Sequence, residues 1–329
     1  MGKTVKSRKI WLFLFILLFL ALPHFSGTYI LYLVSIAGVY TIVSIGLNLL
    51  FGFTGLISIG HAAFLGTGAY TTAILLTRVP SLPFPIILML SGLLAAVLGL
   101  IVGLPALRLS GHYLAMATMG FGFVMEEIFL HWESLTKGAL GITVPKARVG
   151  PILFNTRTSK YYLILILVLV MTLLAKNLLN SKTGRAFVAI RDHEVAAQTM
   201  GIHLAWYKTI SFMVSAFYAG IAGSLYAILL SYINAESFHL MVSVLYLEMV
   251  VVGGIASILG SILGAIFLTI LPEILGAKYQ LYQIIVQGLI LVLTLIFMPW
   301  GLSGMFWRIY KWASERKTAE RPSREGALP

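Results

Sequence analysis

Long apolar runs alternate along this chain with short polar breaks. Ten runs stand out: about 10–25, 28–50, 56–77, 85–105, 112–132, 160–176, 209–232, 242–257, 260–276 and 282–299. A helix rising 1.5 Å per residue needs roughly 20 apolar residues to cross the hydrocarbon of a bilayer, and the later runs are close to that length. Lipid offers the backbone no partners, so a crossing segment is a helix or part of a closed barrel. The runs are continuous rather than alternating with a period of two, which predicts helices. The expected fold class is therefore an all-α polytopic membrane protein with about ten transmembrane helices. Runs 56–77 and 242–276 are rich in glycine and are candidates for broken or re-entrant spans. The first run follows Lys3, Lys6, Arg8 and Lys9, the charge order of a signal peptide, but no small-x-small cleavage site follows it. It is expected to be an uncleaved first span.

One polar island interrupts this pattern, from Ser181 to Ile202, between the sixth and seventh runs. Thr183 and Asp192 are placed to cap two short helices, and Gly201 to end the second. Val195, Thr199 and Ile202 recur at helical spacing. A simple connector needs only a few turn residues, so a charged helical element of this length reads as a surface made to be touched by something soluble. The competing reading is an amphipathic helix lying on lipid, with Lys182, Arg185 and Arg191 toward acidic headgroups.

Composition agrees with the membrane class: 59% of the 329 residues are hydrophobic and 10% charged, against about 25% charged in soluble domains. The net charge of +12 is explained by basic loops and tails rather than by nucleic-acid binding. With the N-terminus inside, the island (176–208) and the C-terminal tail also fall inside. Four basic residues at the N-terminus, Arg108, five in the island region and six in the tail then put sixteen of the 23 Lys and Arg inside, as the positive-inside rule requires. One stretch dissents. The external loop 133–160 carries Lys137, Lys146, Arg148, Arg157 and Lys160 against Glu133. The domain reading is a single membrane-embedded unit over 1–312, with an amphipathic interfacial segment after Trp300 and a disordered cytoplasmic tail over 313–329. With no cysteine, disulfides and thiolate metal sites are excluded.

Several side chains inside the spans could carry function. Thr41, Ser44 and Asn48 share one helix face, Thr118, Gly122 and Glu126 another, and Gln280, Gln283 and Gln287 a third. A polar face in lipid turns toward the bundle interior or a wet cavity, so each stripe fits either interhelical hydrogen bonding or the lining of a pathway. Glu126 and Glu248 are intramembrane carboxylates open to the same two readings; Glu127 reads as solvated. Ser58 and His61 lie in the glycine-dense segment from Gly52 to Tyr70, where unwound backbone at membrane depth is tolerated only beside protein or a cavity. His61 has no second histidine at metal spacing, and no metal site is expected. Small residues at Ser215, Ala219, Gly223, Ala227 and Ser231, at Gly260 and Gly264, and at Gly99 and Gly103 predict close helix packing. No phosphate-cradling G-x-x-x-x-G-K-[ST] occurs, so any nucleotide that powers transport binds elsewhere.

Three motifs carry a family resemblance: Gly46-Leu47-Asn48-Leu49-Leu50-Phe51-Gly52 running into Ser58–Tyr70; Gly138-Ala139-Leu140-Gly141-Ile142; and Arg191-Asp192-His193-Glu194-Val195-Ala196-Ala197-Gln198-Thr199-Met200-Gly201-Ile202. Met249–Gly254 with Gly260 and Gly264 fits as well. The chain resembles the branched-chain amino acid permease family of bacterial ABC importers, in its LivM-type branch, over most of residues 40–275. The resemblance implies that the island is a coupling helix docking on a cytoplasmic ATPase, with Arg191, Asp192, Glu194, Ala196, Ala197 and Gly201 at the contact. Ala196, Ala197 and Gly201 match the E-A-A-x-x-x-G motif, while Val195 stands at the glutamate position and Glu194 just before it. It further implies ATP and Mg on partner ATPase subunits and no cofactor on this chain. A second related permease, an extracytoplasmic solute-binding protein facing loop 133–160, and residence in the bacterial cytoplasmic (inner) membrane are also implied. The substrate pathway is expected among Thr41, Ser44, Asn48, Ser58, His61, Thr118, Glu126 and Glu248. Two rivals remain: a proton-coupled secondary transporter relaying through Glu126 or Glu248, and a membrane enzyme using Asp192, His193 and Glu194. Sequence neighbours do not share a helix face, which ranks the last reading lowest.

Overall fold

The computed structural model describes residues 22–25, 27–106, 109, 111–149, 152–276, 282–298 and 301–305. The first run up to Ala21, Arg108, Gln280 and the tail from Phe306 lie outside the described residues, and so does the proposed boundary at 312/313. In chain order the helices are α1 (Thr28–Thr54), α2 (His61–Arg78), α3 (Phe84–Ala106), α4 (His112–His131), α5 (Glu133–Thr136), α6 (Arg157–Asn180), α7 (Lys182–Asp192), α8 (Glu194–Thr199), α9 (Leu204–Leu230), α10 (Leu240–Gly253), α11 (Ile258–Leu275) and α12 (Gln283–Phe297). Two 3-10 turns (Gly138–Leu140 and Ala235–Phe238) and four two-residue strands accompany them: β1 (Ile142–Thr143), β2 (Arg148–Val149), β3 (Ile152–Leu153) and β4 (Tyr232–Ile233).

Among the described residues, seven helical stretches are long and apolar enough to cross a membrane: Thr28–Thr54, Phe84–Pro105, His112–His131, Arg157–Asn180, Leu204–Leu230, Ala235–Gly253 and Ile258–Leu275. Ile285–Phe297 is apolar but shorter. The expectation of about ten spans thus meets seven here, for three reasons. The first run is largely undescribed. The last is short. Run 56–77 is not one apolar helix: its helical part, α2, is 18 residues of mostly glycine, alanine, threonine and a few large apolar side chains. It is buried over most of its length, so protein rather than lipid surrounds it and an apolar surface is not required. Its Thr72 hydroxyl lies 2.8 Å from that of Ser91 on α3 and donates to Ser224 on α9 at 2.7 Å, a polar junction of three helices.

The centre of the bundle is α9, packed against α3, α2 and α1, with α1 in turn against α11 and α6. Small residues decide this arrangement. On α9, a Cβ at Gly223 would overlap the carbonyl of Leu65 on α2, and one at Gly68 of α2 would overlap the carbonyl of Gly220. On the other flank, a Cβ at Gly99 of α3 would stand 2.6 Å from Ala216 Cβ. The small-residue stripes of the sequence are thus largely contact faces: Ser215 and Gly223 with α2, Gly99 and Gly103 with α9, Gly260 and Gly264 with α10; Ser231, at the end of the first stripe, instead caps α9 and accepts from Lys160. Without a hydrophobic drive between helices in lipid, this close approach supplies the van der Waals energy that holds them.

Two breaks interrupt the helices. After α1, Gly55 takes the left-handed conformation (φ 78°), and residues 55–60 run without helix into α2. Between α10 and α11, Gly254 and Ala256 have positive φ (131° and 58°). Asn48 holds this second break: the Ala256 amide donates to its Oδ1 (2.9 Å), and its Nδ2 donates to Ser257 O (2.9 Å) and Ser261 Oγ (2.7 Å). Gly52 makes room, since a Cβ there would meet both Asn48 Oδ1 and the Ala256 amide. At the opposite end of α9, β4 pairs antiparallel with β1 (Ile142 with Ile233, Thr143 with Tyr232), pinning loop 133–156 to the end of the bundle away from the island.

Two outcomes test this packing. Gly223→Leu forces α2 and α9 apart and is expected to cost at least the ~1–3 kcal/mol of an overpacked core, read as a lowered thermal midpoint of the detergent-solubilised protein. Asn48→Ala leaves the 254–257 backbone without its partners, at about 1–3 kcal/mol for an unsatisfied buried group, and is expected to lower the midpoint while Thr41→Ala, which loses only a bond within its own helix, leaves it nearly unchanged.

Candidate functional site: the helical handle and the buried polar knot

The island folds as two short helices, with caps that differ from the sequence expectation. Ser181, not Thr183, caps α7, accepting from the Gly184 amide at 3.4 Å. His193 precedes α8 and makes no side-chain cap bond. Asp192 is instead drawn to Arg191, whose Nε and Nη2 donate to Asp192 Oδ1 at 3.0 and 2.8 Å. A guanidinium next to a carboxylate outcompetes a distant amide, and that geometry is invisible to a cap pattern. Gly201 ends α8 in the left-handed conformation (φ 83°), with the Ile202 amide reaching back to Ala197 O at 3.0 Å, a Schellman-type stop.

The handle is clamped to the bundle on one side and open on the other. Ala186, Phe187 and Ile190 of α7 and Ala197 of α8 are buried. Arg191 Nη1 donates to Gly52 O at 3.2 Å, at the end of α1. Glu194 meets Lys208 of α9 at 2.7 Å; the lysine side chain is only 6% exposed, so the pair locks the handle to a central helix. Lys208 carries no pattern in the sequence and was identified only by this contact. On the free side stand Ala196, Val195, Met200 and Trp206, the last three large, apolar and exposed. A groove of about 370 Å³ runs beside Val195, lined also by Thr54, Gly55, Ile190 and Arg191 among others.

Inside the bundle, Ser58, His61 and Thr118 come together at the first break. His61 is fully buried, its Nδ1 3.0 Å from Ser58 Oγ and its Nε2 2.6 Å from Ser215 Oγ. The Ile59 amide donates to Thr118 Oγ1 (3.0 Å) and the Ala62 amide to Ser243 Oγ (2.9 Å). These bonds knot the unwound segment to α4, α9 and α10, and they satisfy backbone that lipid could not. Thr41 donates to Ala37 O within α1 (2.8 Å), and Ser44 approaches Met249 Sδ at 3.5 Å. With Asn48 committed to the second break, this stripe is engaged with α10, α11 and α1's own backbone. Glu126 and Glu248 lie apart from the knot, both half-buried. Glu127 pairs with His131 at 2.9 Å, both exposed. Tyr70, which sequence patterns pass over, is stacked on Phe129 (4.8 Å) with its hydroxyl buried and without a partner among the described residues. No group of three His, Cys, Asp or Glu placed to hold a metal occurs among the described residues.

Comparison with known proteins bears on this geometry. Residues 29–295 match the family model described as branched-chain amino acid transport system / permease component. The chain is 33% identical over 329 aligned residues to the high-affinity branched-chain amino acid transport system permease protein LivM of Escherichia coli K12, covering 92% of this chain and 76% of that protein. The protein of the same name from Salmonella typhimurium is also 33% identical, with the same coverage. The probable branched-chain amino acid transport permease protein LivH of Methanocaldococcus jannaschii is 23% identical over 82% of this chain and 90% of its own length. No solved structure is significantly similar. The family model spans the helices, the buried knot and the handle alike, and the chain belongs to the family of branched-chain amino acid transport system permease components.

Proposed function

We propose that this chain is a transmembrane permease subunit of an ATP-driven importer of branched-chain or related amino acids. In this reading it lies in the bacterial cytoplasmic membrane with both termini inside. ATP and Mg belong to separate ATPase subunits, a second related permease completes the pathway, and an extracytoplasmic solute-binding protein delivers cargo to the end bearing loop 133–156. The observation that carries the reading is the handle. It is rigidly joined to α1 through Arg191–Gly52 and to α9 through Glu194–Lys208, yet presents an exposed apolar face. A motor gripping that face would move the two helices on which both breaks and the buried knot are mounted.

In this reading the coupling residues divide between two tasks. Ala196 belongs to the docking face. Ala197 is buried, and Glu194 acts inward on Lys208, so both transmit rather than touch the motor. An amphipathic helix resting on lipid would not need an ion pair to a buried lysine of a central helix to hold it in place; that pair favours docking.

Three outcomes follow. Reconstituted with its ATPases and second permease, the chain is expected to support ATP-dependent uptake of labelled leucine into proteoliposomes; uptake by the lone chain under a pH gradient would transfer the function to the proton-coupled class. Ala196→Arg is expected to leave folding intact and to lower transport-coupled ATP hydrolysis at least tenfold. Glu194→Ala is expected to uncouple hydrolysis from uptake, with the exchanged pair Glu194→Lys and Lys208→Glu restoring part of it, measured as the ratio of solute moved to ATP hydrolysed.

A further inference from the structure

The basic residues of 133–160 run against the charge rule that orients the rest of the chain, and transport as proposed does not use them. Two of them meet at a cavity. Where the starts of α1 and α6 meet the end of α9, a space of about 330 Å³ opens, lined by Tyr32, Asn155, Arg157, Lys160, Leu230 and Ser231 among others. That volume falls within the roughly 300–1,000 Å³ of small-molecule sites.

Lys160 is partly explained by the fold. Its ammonium donates to Ser231 Oγ (2.9 Å) and Leu229 O (3.4 Å), placing a cation on the last turn of α9, where the helix dipole favours one. An ammonium has three donors, so one remains for the cavity. Arg157 has no such account. Its side chain has no hydrogen bond or ion pair among the described residues. It occupies the first position of α6, a 24-residue helix with no acidic residue in its first turn, where the dipole disfavours a cation. No carboxylate lines the cavity. The walls therefore set an exposed guanidinium with no protein partner among the described residues beside an ammonium with one donor to spare, together with an amide and hydroxyls, and with leucine on one side. Tyr32, Asn155, Arg157 and Lys160 carry donors for an anion, while the Ser35 and Ser231 hydroxyls donate to Leu31 O and Ile228 O; guanidinium paired with ammonium is the donor set of phosphate recognition. The position is also that of a headgroup: exposed Tyr29 and half-buried Tyr32 and Tyr162 fall within the same two turns of α1 and α6, an interfacial aromatic arrangement.

We infer that this cavity binds a phosphate-bearing anion through Arg157 and Lys160, supplied either by the headgroup of an anionic phospholipid or by free phosphate. A bound phosphate neutralises both cations and clamps α6 to α1 and α9 at the end opposite the handle. The inference is independent of what the chain transports.

The test is the thermal midpoint of the purified full-length chain in neutral detergent, titrated separately with dioctanoyl phosphatidylglycerol, inorganic phosphate and dioctanoylglycerol. A saturable rise with phosphatidylglycerol alone identifies the lipid source, and one with inorganic phosphate identifies a soluble anion. In either case Arg157→Gln is expected to weaken the apparent affinity at least tenfold, while Arg148→Gln, exposed on β2 of the same loop, leaves it unchanged. Lys160→Gln is not used alone, because it also disturbs the α9 terminus. No saturable shift with either phosphate compound, an equal shift with dioctanoylglycerol, or equal weakening by Arg148→Gln would overturn the site.

Discussion

Backbone that leaves a helix inside a membrane bundle must find its hydrogen bonds in the protein, and this fold is organised around meeting that demand twice. At the second break, one asparagine does most of it: Asn48 accepts from Ala256 and donates to Ser257 and Ser261. At the first, hydroxyls of Thr118 and Ser243 receive the amides of Ile59 and Ala62, and His61 bridges Ser58 to Ser215. With two hydroxyls as its partners, the imidazole needs no charge to use both nitrogens: one donates and the other accepts. In a low-dielectric interior such a fully used polar set rigidifies its surroundings, whereas a half-used one would cost free energy.

Both breaks are wired to the handle through short paths. Arg191 bonds Gly52, one turn from Asn48, and Gly55 packs on Arg191 itself. Lys208, which receives Glu194, opens the same helix that carries Ser215. A displacement of α7 and α8 therefore acts on the ends of α1 and α9, and those helices hold the irregular segments. Close glycine contacts along α2, α3 and α9 favour rigid-body movement over local bending, because backbones in direct contact have no side-chain layer to deform.

Much of the packing architecture was legible in residues. Glycine and alanine stripes marked the helix faces that touch, and the polar island between α6 and α9 marked itself by charge. Gly201 announced its stop. Other features were not legible. Thr183 and Asp192 matched a capping pattern, but Ser181 was the residue in reach and Arg191 claimed Asp192. The Thr41, Ser44 and Asn48 stripe fitted a pathway and a packing face equally well, since periodicity fixes a direction from the helix axis and not what stands there. Lys208 and Tyr70 had no sequence signal, because a single lysine or tyrosine gains meaning only from what it meets.

The chain's own residues determined that it is helical and membrane-embedded, and which family it belongs to: these depend on composition, run length and local spacing, quantities that a one-dimensional pattern holds completely. Tertiary structure alone decided which polar groups are consumed by the fold and which face outward. It turned Glu194 inward and Ala196 outward, spent Asn48 on a break some two hundred residues away in the chain, and gathered Arg157 and Lys160 around one cavity. Each of those outcomes depends on contacts between distant segments, which burial and close helix approach create and which no local pattern encodes.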